Sequence, residues 1–168
     1  MNRKHKVAVV MGSDSDFPAL KGCFTTLKEF GIEFEAMVCS AHRTPDKAAE
    51  FAKSARENGI EVIIAAAGKA AHLPGVLAAF TTLPVIGIPV KSSTMDGLDS
   101  LLSIVQMPAG IPVATVAIDG AENAALLAIQ IMALHDDGLS GKLTEFKQKL
   151  AQKVEERNRA LQAKLEEI

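Results

Sequence analysis

The stretch Cys39-Ser40-Ala41-His42-Arg43-Thr44-Pro45-Asp46 sets a hydroxyl, an imidazole and a guanidinium almost side by side. A guanidinium grips phosphate or carboxylate in a planar fork. An imidazole is the side chain best placed to move a proton near neutral pH. On an ordinary surface turn the same residues would only be solvated. Two other stretches add to the set. Gly12-Ser13-Asp14-Ser15-Asp16 offers backbone N–H groups and two hydroxyls where a helix begins, a ready anion site. Asp14 is expected to cap that helix, leaving Asp16 to accept from ribose hydroxyls. Gly68-Lys69-Ala70-Ala71-His72-Leu73-Pro74-Gly75 is a turn of small residues carrying a second histidine.

The motifs present exclude several chemistries. There is no G-x-G-x-x-G fingerprint and no G-x-x-x-x-G-K-[ST] loop, so neither a dinucleotide nor a nucleoside triphosphate is indicated. His42 and His72 fall on different turns with no H-E-x-x-H spacing and no cysteine beside them, so no metal site is expected. A magnesium-dependent phospho-acceptor domain would need a carboxylate after the third strand and a lysine after the fifth. Ala65-Ala66-Ala67-Gly68 and Ala117-Ile118-Asp119 supply neither.

The elements that must carry these turns follow from periodicity. Lys6 to Met11 is an apolar, β-branched run and reads as the first strand. Phe17, Leu20, Phe24 and Leu27 mark one face of a helix, with Pro18 in its first turn and Gly31 at its end. Phe34 to Val38 reads as a short buried strand. Thr44 and Pro45 then signal the N-cap and first position of a helix with Ala48, Phe51, Ala52 and Ala55 on one face, closing at Asn58-Gly59. Further strands are expected at Ile60–Ala67, Leu83–Val90 and Ile111–Ile118. The third is apolar throughout, as suits a central parallel strand covered on both faces. Helices are expected between them, ending near Phe80, over Leu98–Val105, and from Asn123. Five strands alternating with helices predict a three-layer α/β/α fold, a flavodoxin-like doubly wound parallel sheet of order 2-1-3-4-5. The three turns then share the edge where open α/β sheets bind ligands.

Residues 1–138 are expected to form this domain, and 139–168 a helical arm. Leu143, Phe146, Leu150, Val154, Leu161 and Leu165 make an apolar stripe along a Lys-, Glu- and Gln-rich segment. The sheet already has helices for both faces, so the arm is expected to lie on a neighbouring subunit.

The 168 residues fit one domain, and 48% hydrophobic content can build a substantial core. A net charge of -2 and the absence of Trp and Tyr argue against nucleic acid as a partner. Cys23 and Cys39 read as buried, reduced thiols of a cytoplasmic protein. The basic start Met1–Lys6 is followed by no signal-peptide core, and no apolar run is long enough to span a membrane.

Four stretches taken together carry a family resemblance. Met11-Gly12-Ser13-Asp14-Ser15-Asp16, Ser40-Ala41-His42-Arg43-Thr44-Pro45, Ala70-Ala71-His72-Leu73-Pro74-Gly75 and Ser103-Ile104-Val105-Gln106-Met107-Pro108 resemble, in order and spacing, the signatures of the carboxyaminoimidazole ribonucleotide mutase family. The resemblance runs from about Val7 to His135. It implies an isomerase of purine biosynthesis that moves a carboxyl group from an exocyclic nitrogen to a ring carbon of a ribonucleotide. It implies no metal, ATP or biotin, and a homo-octamer. It makes Ser13, Asp16 and Arg43 substrate-binding, His42 the proton carrier, and Ser40 and His72 pocket residues. A carboxylase branch of the family uses free carbon dioxide instead; a non-catalytic nucleotide-binding module is the other alternative. One departure stands out. The family usually reads Gly-Ala-Gly-Gly before Ala-Ala-His, where this chain has Ala66-Ala67-Gly68-Lys69. Lys69 is expected on the solvent side, since an uncompensated buried lysine is costly.

Overall fold

The computed structural model describes residues 4–166. Strands β1 (Lys6–Met11), β2 (Glu33–Val38), β3 (Val62–Gly68), β4 (Val85–Val90) and β5 (Ala114–Thr115) form one parallel sheet in the order β2-β1-β3-β4-β5. Helices α1 (Phe17–Phe30), α2 (Pro45–Ser54), α3 (Leu73–Phe80), α4 (Leu98–Val105) and α5 (Ala121–Ala133) connect and cover it, and α6 (Asp137–Leu165) follows. This is the three-layer, flavodoxin-like architecture with a long C-terminal helix.

Strand alternation divides the core in two. Val7, Val9, Met11, Val62, Ile64 and Ala66 face the layer built from α1, α5 and the start of α6. Ala8, Val10, Ile63, Ala65 and Ala67 face α2, α3 and Ile104 of α4. Small residues on that second face let α2 approach closely through Ala48, Ala52 and Ala55.

Two strands differ from expectation. β2 is not buried: it lies at the sheet edge with its residues exposed or half-buried. Its Glu33 and Glu35 pair with Lys4 at 3.3 Å and Lys6 at 2.6 Å, charges that suit an unpaired edge. β5 is two residues long rather than eight. Its C-terminal limit is set by its neighbour. Past Thr115 the Val116 N–H still donates to the Gly87 carbonyl and the Asp119 N–H to the Pro89 carbonyl, but Pro89 offers no N–H on that side, so the regular ladder ends there.

The apolar stripe of α6 is split. Leu139 is buried, and Leu143 and Phe146 pack on the domain's own core, with the Phe146 ring 5.8 Å from that of Phe30. Beyond them Leu150, Val154, Leu161 and Leu165 are exposed. The helix starts at Asp136, whose carboxylate accepts from the Leu139 N–H at 2.9 Å and contacts the buried His5 ring at 3.1 Å. Those contacts, the backbone one first, hold its carboxyl below the usual carboxylate range. On its other side His5 meets Glu61 at 2.8 Å, so one imidazole ties together the ends of three elements. Cys23 and Cys39 are free and buried, and burial pushes the Cys23 thiol up to about 12.

Candidate active site at the strand ends

A cleft of about 610 Å³ opens where β1, β2, β3 and β4 end. Ser13, Asp16, Ser40, His42, Arg43 and His72 all line it, so the sheet brings every one of the sequence candidates together.

The first turn is closed by its own side chains. Ser13 caps a single 3-10 turn at Asp14–Asp16, and its N–H donates to Asp16 Oδ2 at 3.1 Å. The Ser15 N–H donates to Asp14 Oδ1 at 3.1 Å and to Ser13 Oγ at 3.3 Å. The ready anion site expected here is therefore partly occupied by the protein's own oxygens, and the cap is shared by Ser13 and Asp16 rather than supplied by Asp14. Asp16 is buried, which raises its pKa; the Ser13 N–H pulls the other way and the Asp14 charge adds to the rise. Its second oxygen has no donor among the described residues.

The second turn is fixed by Thr44. The residue sits at the N-cap of α2, but its hydroxyl makes no capping bond. It donates to the Ser40 carbonyl at 2.9 Å and accepts from the Ser40 N–H at 3.1 Å. Ser40 Oγ in turn accepts from the Arg43 N–H at 3.2 Å and from Arg43 Nε at 3.4 Å. The guanidinium crosses to the first turn and donates to the Gly12 carbonyl at 3.4 Å. The fork is thus held beside Ser13 before any anion arrives.

The third turn bends twice in four residues. The Ala71 N–H donates to the Lys69 carbonyl and the His72 N–H to the Ala70 carbonyl, each at 2.8 Å. Lys69 starts this bend with φ +56°, and its side chain lies exposed on the cleft wall. The bend delivers His72 to His42: Nδ1 of one ring is 2.8 Å from Nε2 of the other, with the rings edge-on at 77°. One of these nitrogens carries the hydrogen and the other accepts it. His42 Nδ1 and His72 Nε2 have no partner among the described residues.

Lys91, Ser92 and Ser93 complete the wall after β4 and escaped the sequence reading. The signal was available, because they follow a strand C-terminus just as the other three turns do. Lys91 is engaged, its ammonium 3.3 Å from Asp96 and its N–H bonded to Asp119. No group of three or more potential metal ligands occurs among the described residues.

The cleft therefore combines an anion fork, a buried carboxyl and a pair of imidazoles sharing one hydrogen. Known proteins share this chain's sequence and fold. A curated N5-carboxyaminoimidazole ribonucleotide mutase of Pyrococcus horikoshii is 55% identical over 161 residues, covering 96% of this chain and 91% of that protein. The phosphoribosylaminoimidazole carboxylase of Saccharomyces cerevisiae is 52% identical over 151 residues, covering 90% of this chain but 26% of that longer protein. A crystal structure of Treponema denticola PurE superposes with a TM-score of 0.83 at 30% identity, over 91% of this chain and 96% of that one. The family model for AIR carboxylase matches residues 6–153, and the chain belongs to that family.

Proposed function

We propose that this protein is an N5-carboxyaminoimidazole ribonucleotide mutase of purine biosynthesis. It interconverts 5-carboxyamino-1-(5-phosphoribosyl)imidazole and 5-amino-1-(5-phosphoribosyl)imidazole-4-carboxylate. The observation that carries the reading is the His42–His72 pair facing the same cleft as Arg43, in a chain about half identical to named mutases.

The reaction is an isomerisation, so atoms balance without a co-reactant. Protonation of the carbamate nitrogen lets its bond to the carboxyl carbon break, releasing carbon dioxide inside the cleft. The nucleophilic ring carbon attacks that carbon dioxide, and the ring carbon then gives up its own proton. One proton therefore leaves the enzyme at nitrogen and returns from carbon. His42 is assigned as its carrier, first acid and then base. His72 holds the His42 ring and fixes which nitrogen bears hydrogen. Arg43 and Ser13 hold the phosphate, with Ser40 fixing the guanidinium, and the open oxygen of Asp16 accepts from ribose. Keeping carbon dioxide beside the ring carbon is a matter of proximity and water exclusion, which the small residues of the third turn permit.

The assembly assigned is a homo-octamer, and exposed apolar residues on two elements offer surface for contacts between subunits: Leu98, Leu102 and Val105 on α4, and Leu150, Val154, Leu161 and Leu165 on α6. No helix among the described residues is long and apolar enough to cross a membrane, and the cytoplasm is the assigned location.

The yeast relative's name favours a second reading, direct carboxylation of the uncarboxylated ribonucleotide by free carbon dioxide. Supplying each ribonucleotide separately, at ordinary bicarbonate, decides between them. Rapid conversion of the carbamate alone supports the mutase. Comparable use of the uncarboxylated ribonucleotide overturns it in favour of the carboxylase, and tight binding without turnover of either reduces the protein to a binding module.

A further inference from the structure

Lys69 combines three observations that the catalytic assignment leaves unused. Its backbone sits in the left-handed region at φ +56°, where glycine would rest without steric cost. Strained positions of this kind persist where the surroundings over-determine them and concentrate at functional sites. Its side chain lines the cleft and is exposed, so no desolvation cost opposes its charge. And its ammonium has no hydrogen-bond or ion-pair partner among the described residues. Of the other two cations of the cleft, Lys91 pairs with Asp96, and Arg43, steadied by Gly12 and Ser40, is the one assigned to the phosphate.

The substrate and product of the mutase reading, on which this inference rests, each carry two anionic groups. Arg43 lies at the first and second turns, next to Ser13, and suits the phosphate. The carboxylate that migrates must lie at the other end of the molecule, beside the histidines. Lys69 begins the double bend that ends at His72, so its side chain projects from the turn that carries His72, whose ring meets His42 of the neighbouring turn at 2.8 Å. We propose that the Lys69 ammonium holds the migrating carboxylate against the His42–His72 pair, as a specificity-determining and positioning residue. The ammonium stays within reach of the carboxylate on nitrogen and on carbon because its four-carbon stem is flexible. It therefore discriminates carboxylated from uncarboxylated ribonucleotide.

The test is equilibrium binding of 5-amino-1-(5-phosphoribosyl)imidazole and of its 4-carboxylate to the full-length protein, Lys69→Gly and Lys69→Arg. Glycine accepts the backbone conformation, so the variant folds, and a melting curve checks this. Lys69→Gly should weaken the 4-carboxylate about tenfold, the low end for a hydrogen bond to a charged group. It should leave the uncarboxylated ligand within about twofold, and Lys69→Arg should restore most of the loss. Equal weakening of both ligands, or of neither, overturns the proposal. Turnover by the unaltered protein is measured alongside. If it binds the 4-carboxylate selectively through Lys69 but converts neither isomer, the mutase reading fails while the carboxylate contact stands.

Discussion

Replacing His42 by asparagine separates proton transfer from everything else the residue does. The structural loss is small. His42 is exposed and makes one side-chain hydrogen bond, to His72 at 2.8 Å. A bond of that kind contributes about 0.5–1.5 kcal/mol net, so the melting temperature should fall by no more than a few degrees. The chemical loss is large. Removing a positioned acid–base group typically costs roughly 10²–10⁴ in rate, which is about 3–5 kcal/mol of barrier. Asparagine keeps approximate size and polarity but cannot carry the charge. The assay is the rate of isomer interconversion at saturating ribonucleotide, with ligand affinity measured separately by calorimetry. His42→Asn should bind nearly normally and barely turn over. His72→Asn should bind, keep its proton carrier and lose less. Normal turnover by His42→Asn beside a dead but binding His72→Asn would reverse the assignment of roles within the pair.

Three other outcomes are expected. Arg43→Lys replaces a fork that spans the first two turns by a point charge, and should raise KM about tenfold with little change in kcat; an unchanged KM removes Arg43 from phosphate binding. Deleting residues 150–168 leaves Leu139, Leu143 and Phe146 on the core, so the protein should stay folded, while sedimentation should report a smaller assembly; an unchanged sedimentation mass shows that the outer half of α6 makes no assembly contact. Asp16 has a raised folded pKa, so it binds its proton more tightly folded than unfolded and its ionisation opposes folding. The stability of the protein minus that of Asp16→Asn should therefore be greatest below the unfolded value of about 3.9 and decline as pH rises through the raised one. Denaturant melts across that range check the sign, and a difference that grows with pH contradicts it.

What the sequence disclosed of the fold was what depends on a segment's own periodicity. Lys6–Met11, Leu98–Val105 and the Gly31 terminus of α1, at φ +76°, were all legible because apolar spacing and a left-handed glycine are local signals. What depends on neighbours was not. Phe34–Val38 looks like a core strand until the strand order places it at an edge. Ile111–Ile118 has the composition of a full strand, yet only Ala114–Thr115 pair in register, and a proline in β4 bounds them on the C-terminal side. The marks of α4 misled in a further way: Leu98, Leu102 and Val105 face outward, while Ser100 and Ile104 are buried, and Ser100 donates its hydroxyl to the Val90 carbonyl. Of the four apolar residues whose spacing marks that helix, Leu98, Leu101, Leu102 and Val105, its own domain half-buries Leu101 and leaves the other three exposed.

The site shows the same division more sharply. Each turn announced its chemistry through residue type, because parallel strands must all end on one edge and ligands gather there. The pairing of the histidines was not local. The strand order sets β2 and β3 on opposite sides of β1, so His42 and His72 rise from strands about 10 Å apart at the usual strand spacing. Reaching 2.8 Å requires both loops to lean over the shorter turn between them. The Ser40–Thr44 bonds hold one loop in that posture, and the double bend after Lys69 holds the other. The left-handed backbone at Lys69 is thus the start of the bend that brings His72 across. A residue that first reads as a neutral loop substitution therefore occupies the position on which the third turn's geometry depends.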